Sequence, residues 1–170
     1  MSVTQRLRAA RTSTTTGEEA WMELALDLAV SNVGAGGGPF GAVIVRDGEV
    51  LGSSGNRVTV SHDPTAHAEV MAIRVACRTI ADFRLDGALL VSSCEPCPMC
   101  LTAALWARVE RVVFAADRHD AAQAGFDDLE FYELLERPRS TWSMPVTRLR
   151  HQSQGRPFDT WTAFADRTDY

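Results

Sequence analysis

The chain has no run of about eighteen apolar residues, the length a bilayer-crossing helix needs, and no opening succession of charged, apolar and small residues that reads as a secretory leader. A soluble protein with no membrane partner is expected. Cysteine is scarce. Its four occurrences leave nothing for a disulfide framework, since Cys77 falls on the apolar side of a predicted helix and Cys94, Cys97 and Cys100 crowd into one short segment. That usage fits a reducing, cytoplasmic location. Positive charge is also short: a formal net charge of -5 argues against affinity driven by phosphates, so nucleic acid is not an expected partner.

What is present suffices for one sizeable core and is short for two, with 45% hydrophobic residues in 170. Residues 1–16 are polar, rich in Ser and Thr, and carry Arg6, Arg8 and Arg11 without an acid, so a disordered tail is expected there and a single domain over 17–170. Thr16-Gly17-Glu18-Glu19 reads as a capping box opening a helix whose Trp21, Leu24, Ala25 and Leu28 face a core. Gly34 to Pro39 then breaks the helix. It lacks the Lys-Ser/Thr and the preceding strand of a phosphate-binding loop, and serves to turn the backbone into a strand, Phe40 to Arg46. Asp47-Gly48 closes a hairpin with Glu49 to Asn56, which puts Phe40 and Asn56 at the same end.

A second helix is predicted from His67 to about Ile80, with Val70, Ile73 and Cys77 as its buried stripe, widened by Met71 and Val75. After the turn Asp86-Gly87, the apolar strand Ala88 to Ser92 leads to a helix beginning near Cys97, with Leu101, Leu105 and Trp106 expected inward. Arg111 to Ala116 is the next strand, parallel to the one before because a helical crossover separates them. The order defines an α/β sandwich with a mixed sheet. A helical stretch to Glu136, a strand-like Val146 to Arg150 and an amphipathic segment from Phe158 to Asp166 complete the chain. In that segment Phe158, Trp161 and Phe164 recur at helical spacing, a face that should pack, and the four residues after Asp166 read as frayed.

Chemistry concentrates in Asp63-Pro64-Thr65-Ala66-His67-Ala68-Glu69 and Cys94-Glu95-Pro96-Cys97-Pro98-Met99-Cys100. His67, Cys97 and Cys100 offer an imidazole and two thiolates, a borderline-soft set that suits zinc, and three ligands leave a fourth tetrahedral position for water. Pro98 is tolerated at the first position of a helix, so Cys97 falls at the N-cap and Cys100 in the first turn, where the helix dipole favours thiolates. Glu69, two residues beyond His67, is read as the acid/base group. The alternative is a closed structural site with Cys94 as fourth ligand, against which Cys94 would lie at a strand end and act as a small buried residue.

His-x-Glu followed by Pro-Cys-x-x-Cys resembles the signature of the zinc-dependent nucleoside and nucleobase deaminases. Over most of the stretch from Trp21 to Tyr170 the chain resembles the bacterial guanine deaminases of the cytidine-deaminase fold. The likeness is carried by Gly38 to Val45, Asp63 to Glu69, Ser93 to Cys100, Asp120-Ala121-Ala122, Ala124 to Asp128 and Tyr170. The resemblance implies a cytidine-deaminase-like α/β/α three-layer sandwich with a mixed, mostly five-stranded sheet. It implies one zinc held by His67, Cys97 and Cys100, with Glu69 and Asp128 catalytic and purine contacts from Phe40, Asn56, Ala68 and Trp106. A homodimer is also implied, in which residues from about 155 to 170 are exchanged and Tyr170 closes the partner's pocket.

The implied reaction is hydrolytic: water replaces the amino group of guanine, leaving xanthine and ammonia. His62 to Glu69 also resembles the tRNA adenosine deaminases, which keeps that reading open. Yet those enzymes are expected to bring a basic final helix, and here Asp159, Asp166 and Asp169 face one cation, Arg167, after Phe158. Guanosine, isocytosine-like pyrimidines and amino-triazines carry an equivalent amine and are further alternatives, as is a zinc-stabilised module without activity.

Overall fold

The structure is a computed structural model, and it describes residues 14–126 and 128–169. The chain forms two compact units, Met1–Glu133 and Leu134–Tyr170. The first contains α1 (Thr14–Gly34), β1 (Gly41–Arg46), β2 (Glu49–Gly55), α2 (Val58–Ser61), α3 (Ala68–Ile80), β3 (Leu89–Cys94), α4 (Pro98–Trp106), β4 (Arg111–Ala116) and α5 (Arg118–Gln123). Helix α6 (Asp128–Glu136) runs into the second unit, which also holds a single 3-10 turn (Arg139–Thr141) and α7 (Arg156–Ala163). Most of the expected N-terminal tail lies outside the described residues. Helix α1 begins at Thr14, so Thr16 stands inside it and not at its N-cap, a boundary difference of the size helix ends commonly show.

The sheet order is β2-β1-β3-β4, with β1 antiparallel to β2 and β3, and β3 parallel to β4. The hairpin closes as expected: Asp47 (φ 53) and Gly48 (φ 78) both adopt the left-handed conformation that two-residue turns of matching twist require. Alternation along the central strands sorts two cores. Val43, Val45, Leu89 and Val91 pack with Trp21, Leu24 and Ala25 of α1. Ala42, Ile44 and Leu90 pack on the opposite face with Ala68, Ala72, Ile73 and Ala76 of α3 and Ala104 of α4. Each fully buried Val, Ile or Leu contributes ~1.5–3 kcal/mol. Close approach is built in. A Cβ on Gly52 would lie 2.6 Å from both Ala72 O and Ala76 N, so β2 and α3 touch backbone to backbone.

Three expectations are corrected. Val146 to Arg150 has no regular structure; Val146 is 50% and Leu149 89% exposed, so neither face of the segment is buried to hold a strand in register. Among the described residues the sheet therefore has four strands, not five. In α4, Leu105 (69% exposed) and Trp106 (58%) point outward. Cys100 and Ala104 face inward, and Ala107 just past the helix end is buried with them, because small side chains let this helix approach α3 closely. In the second unit the Phe158, Trp161 and Phe164 face, expected to pack, is exposed. No helix among the described residues is long and apolar enough to cross a membrane.

Candidate active site

Two helix starts meet where β3 ends. His67 is the N-cap of α3 and Cys97 the N-cap of α4, both in extended backbone conformation, with Pro98 at the first helical position. The donor atoms of His67, Cys97 and Cys100 all lie within 4.8 Å of one another. Cys97 Sγ is 3.6 Å from His67 Nδ1 and 3.6 Å from Cys100 Sγ. The contact with Cys100, assisted by His67, holds the Cys97 thiol well below the usual thiol range, while the same contact together with burial pushes Cys100 up. The Cys97 thiol is thus biased toward the thiolate, the form a divalent cation binds. Half-buried imidazole, buried sulfurs and mutual distances all fit a zinc ion. Cys94 is not part of the cluster. Its Sγ donates to Asp117 O at 3.6 Å, so among the described residues the cluster offers three donors, one fewer than a closed tetrahedral site needs.

Glu69 sits in the first turn of α3, 6% exposed, and burial pushes its carboxyl above the usual carboxylate range. Ser92 Oγ donates to its Oε1 at 3.2 Å. Glu69 and His67 line a cavity of about 200 Å3 together with Gly38, Phe40, Asn56, Val58, Thr59, Glu95 and Phe126. Four residues expected in the site, Phe40, Asn56, His67 and Glu69, are therefore brought together. Ala68 is fully buried in the core, so the group it has to offer a ligand is its backbone N–H, one of those a helix start leaves without an intrahelical partner. Trp106 stands at the far end of α4 from Cys97, roughly 13 Å along the helix, and does not line this cavity. Asp128 opens α6; Tyr170 lies outside the described residues.

Several cavity features escape motif reading. Phe126 meets Phe40 edge to face at 4.7 Å and walls one side. Glu95 accepts from Arg118 through its backbone N–H (3.1 Å) and its Nε (3.0 Å), and the Arg118 guanidinium lies 3.6 Å over the Tyr132 ring. The Tyr132 hydroxyl donates to Pro96 O. These contacts pin the segment immediately before Cys97. The one signal available was the position of Glu95 between two cysteines of the motif.

Residues 15–116 match the cytidine and deoxycytidylate deaminase zinc-binding region. With an imidazole and two sulfurs converging beside a buried glutamate, the chain belongs to this zinc-binding deaminase family. It is similar to the guanine deaminase of Bacillus subtilis (strain 168), 48% identical over 156 residues that span 89% of this chain and 98% of that protein. The X-ray structure of guanine deaminase from Bacillus subtilis matches with a TM-score of 0.86 at 46% identity, covering 89% of this chain and 98% of that one. A tRNA-specific adenosine deaminase from Aquifex aeolicus (strain VF5) is 38% identical over 116 residues, 67% of this chain and 77% of that protein.

Proposed function

We propose that the protein is a hydrolytic deaminase that converts free guanine and water to xanthine and ammonia. The observation that carries this reading is the buried Glu69 carboxyl on the wall of a small cavity beside the His67, Cys97 and Cys100 cluster. A volume of about 200 Å3 lies below the ~300 Å3 at which sites for drug-sized ligands begin, which favours a bare heterocycle over a nucleoside. The similarity to guanine deaminase over nearly the whole of both chains supports the same substrate.

His67, Cys97 and Cys100 would hold the zinc. Bound there, the metal would supply a Lewis acid that lowers the pKa of water toward neutrality. Glu69 takes the proton of the attacking water and hands it to the ring nitrogen next to C2, so that C2 becomes tetrahedral. The proton of the new C2 hydroxyl then moves to the amino nitrogen with help from Asp128, the C2–N bond breaks, and ammonia leaves as the C2 carbonyl of xanthine forms. Phe40 and Phe126 give the purine apolar walls, and Asn56 and the Ala68 N–H offer polar contacts. Residues from about 155 to 170 are exchanged between two copies on this reading, with Tyr170 closing the partner's pocket and Trp106 a further purine contact; the exposed Phe158, Trp161 and Phe164 supply an apolar face for that exchange. A cytoplasmic setting agrees with four cysteines that form no disulfide, and a place in purine breakdown follows from the proposed reaction.

The test is ammonia release measured across guanine, guanosine, isocytosine, an amino-triazine and tRNA. Turnover of guanine well above the others is expected. Ammonia from tRNA in a salt-sensitive complex, with none from free guanine, would overturn the reading.

A further inference from the structure

Asn32, near the end of α1, is 7% exposed and has no part in the chemistry above. Its Nδ2 donates two hydrogen bonds of 2.7 Å, one to Gly38 O and one to Asn56 O. Both acceptors belong to residues that line the cavity. Asn56 N in turn donates to Phe40 O at 3.0 Å, while Asn56 Oδ1 accepts Val58 N at 3.1 Å. One amide thus ties together the turn at Gly38, the backbone of Asn56 and, through it, Phe40. Because Oδ1 of Asn56 is engaged by backbone, its amide N–H groups are what it has to present to a ligand. Two glycines let the backbone close on Asn32: a Cβ on Gly37 would lie 2.2 Å from its Nδ2, and one on Gly55 would lie 2.5 Å from its Cγ.

We propose that Asn32 is a positioning residue for substrate recognition, holding Asn56 and the Gly38 turn so that the Asn56 amide and the Phe40 ring meet the heterocycle in a fixed pose. The inference rests on the reading of Asn56 as a purine contact. Asn32→Asp keeps the shape but turns oxygens toward two carbonyl oxygens, so both bonds are lost. Asn32→Ser keeps a single donor. The metal donors lie on α3 and α4 and should be untouched by either change.

The experiment measures KM and kcat for guanine, with zinc content and melting temperature, in Asn32→Asp, Asn32→Ser, Asn56→Ala and the Asn32→Asp/Asn56→Ala pair. Loss of a recognition hydrogen bond predicts a KM raised about tenfold in Asn32→Asp and less in Asn32→Ser, with kcat within about twofold and zinc content unchanged. The double variant should be no worse than Asn56→Ala alone, because both changes remove the same contact. If Asn32→Asp does not fold, Asn32→Ser against Asn56→Ala decides the question. Raised KM in Asn56→Ala beside unchanged KM in the Asn32 variants, or additive losses in the pair, overturns the positioning role alone; unchanged KM in Asn56→Ala overturns the purine contact and this role with it.

Discussion

The Ser92 hydroxyl donates a 3.2 Å hydrogen bond to Oε1 of Glu69, and both side chains are buried. A carboxyl shut away from water takes its orientation from the few groups that touch it, and Ser92 reaches it from the centre of β3. Removing that donor strands one oxygen at a cost of about 1–3 kcal/mol. Ser92→Ala should therefore lower kcat about tenfold or more while zinc content stays at the wild-type level. Steady-state kinetics with metal analysis checks it, and an unchanged kcat would show that the bond is incidental.

Glu69 itself is predicted to be indispensable. Glu69→Gln preserves volume and the Ser92 contact but cannot shuttle a proton, so turnover should fall by about 10²-fold or more, the low end of what positioned acid–base groups contribute. Zinc and fold should persist. A variant that kept most of its rate with its metal in place would remove Glu69 from the proton path.

The cluster of His67, Cys97 and Cys100 is legible in the sequence because its rules are local: a proline after Cys97 sets a helix start, and one turn separates the two sulfurs. The Asp47-Gly48 hairpin is legible for the same reason. Leu105 and Trp106 mislead, since apolar periodicity points to large residues while α4 packs through Cys100 and Ala104. Val146 to Arg150 misleads because alternating residues resemble a strand wherever they stand, and a strand needs a buried face to form. Ser92, Asn32 and the pairing of Glu95 with Arg118 depend on contacts between residues far apart in sequence, so no short pattern announces them.

Arg118 grips Glu95 while stacking on Tyr132, and Tyr132 holds Pro96, so three residues brace the approach to Cys97. Lysine cannot reproduce the planar fork or the stacking. Arg118→Lys should cost about 1 kcal/mol, a fall in Tm of about 2–4 °C for a chain of this size. Calorimetry of the zinc-loaded protein measures it, and an unchanged Tm would remove the brace.

Acid should weaken the loop that delivers His67. The Thr65 hydroxyl and backbone N–H both donate to Asp63 Oδ1, at 2.7 and 2.8 Å, and together with Arg74 they hold the Asp63 carboxyl below the usual carboxylate range. A carboxyl whose pKa is depressed by folding contributes stability above its unfolded value, and that contribution fades as pH falls through the folded one. Asp63→Asn should therefore melt below the wild type at neutral pH, with the gap closing as pH drops beneath the ordinary carboxylate value of ~3.9. Melting curves between neutral and acid pH decide it; a gap that widened toward acid would reverse the sign.

Cys94 and Cys97 stand three residues apart, yet the structure assigns them different work. Cys97 Sγ meets His67 and Cys100, whereas Cys94 Sγ is turned to Asp117 O. If three donors hold the metal, Cys97→Ser should lose zinc and activity together, and Cys94→Ser should keep both, paying at most a small packing loss of about 1 kcal/mol for a buried site. A chelator should strip the wild type and Cys94→Ser at the same concentration and lower the Tm of both, since metal bound only to the folded chain stabilises it by mass action. Release of zinc from Cys94→Ser at a concentration that leaves the wild type loaded would mean that the fourth coordination position belongs to a cysteine, and with that position closed the hydrolytic reading would fail.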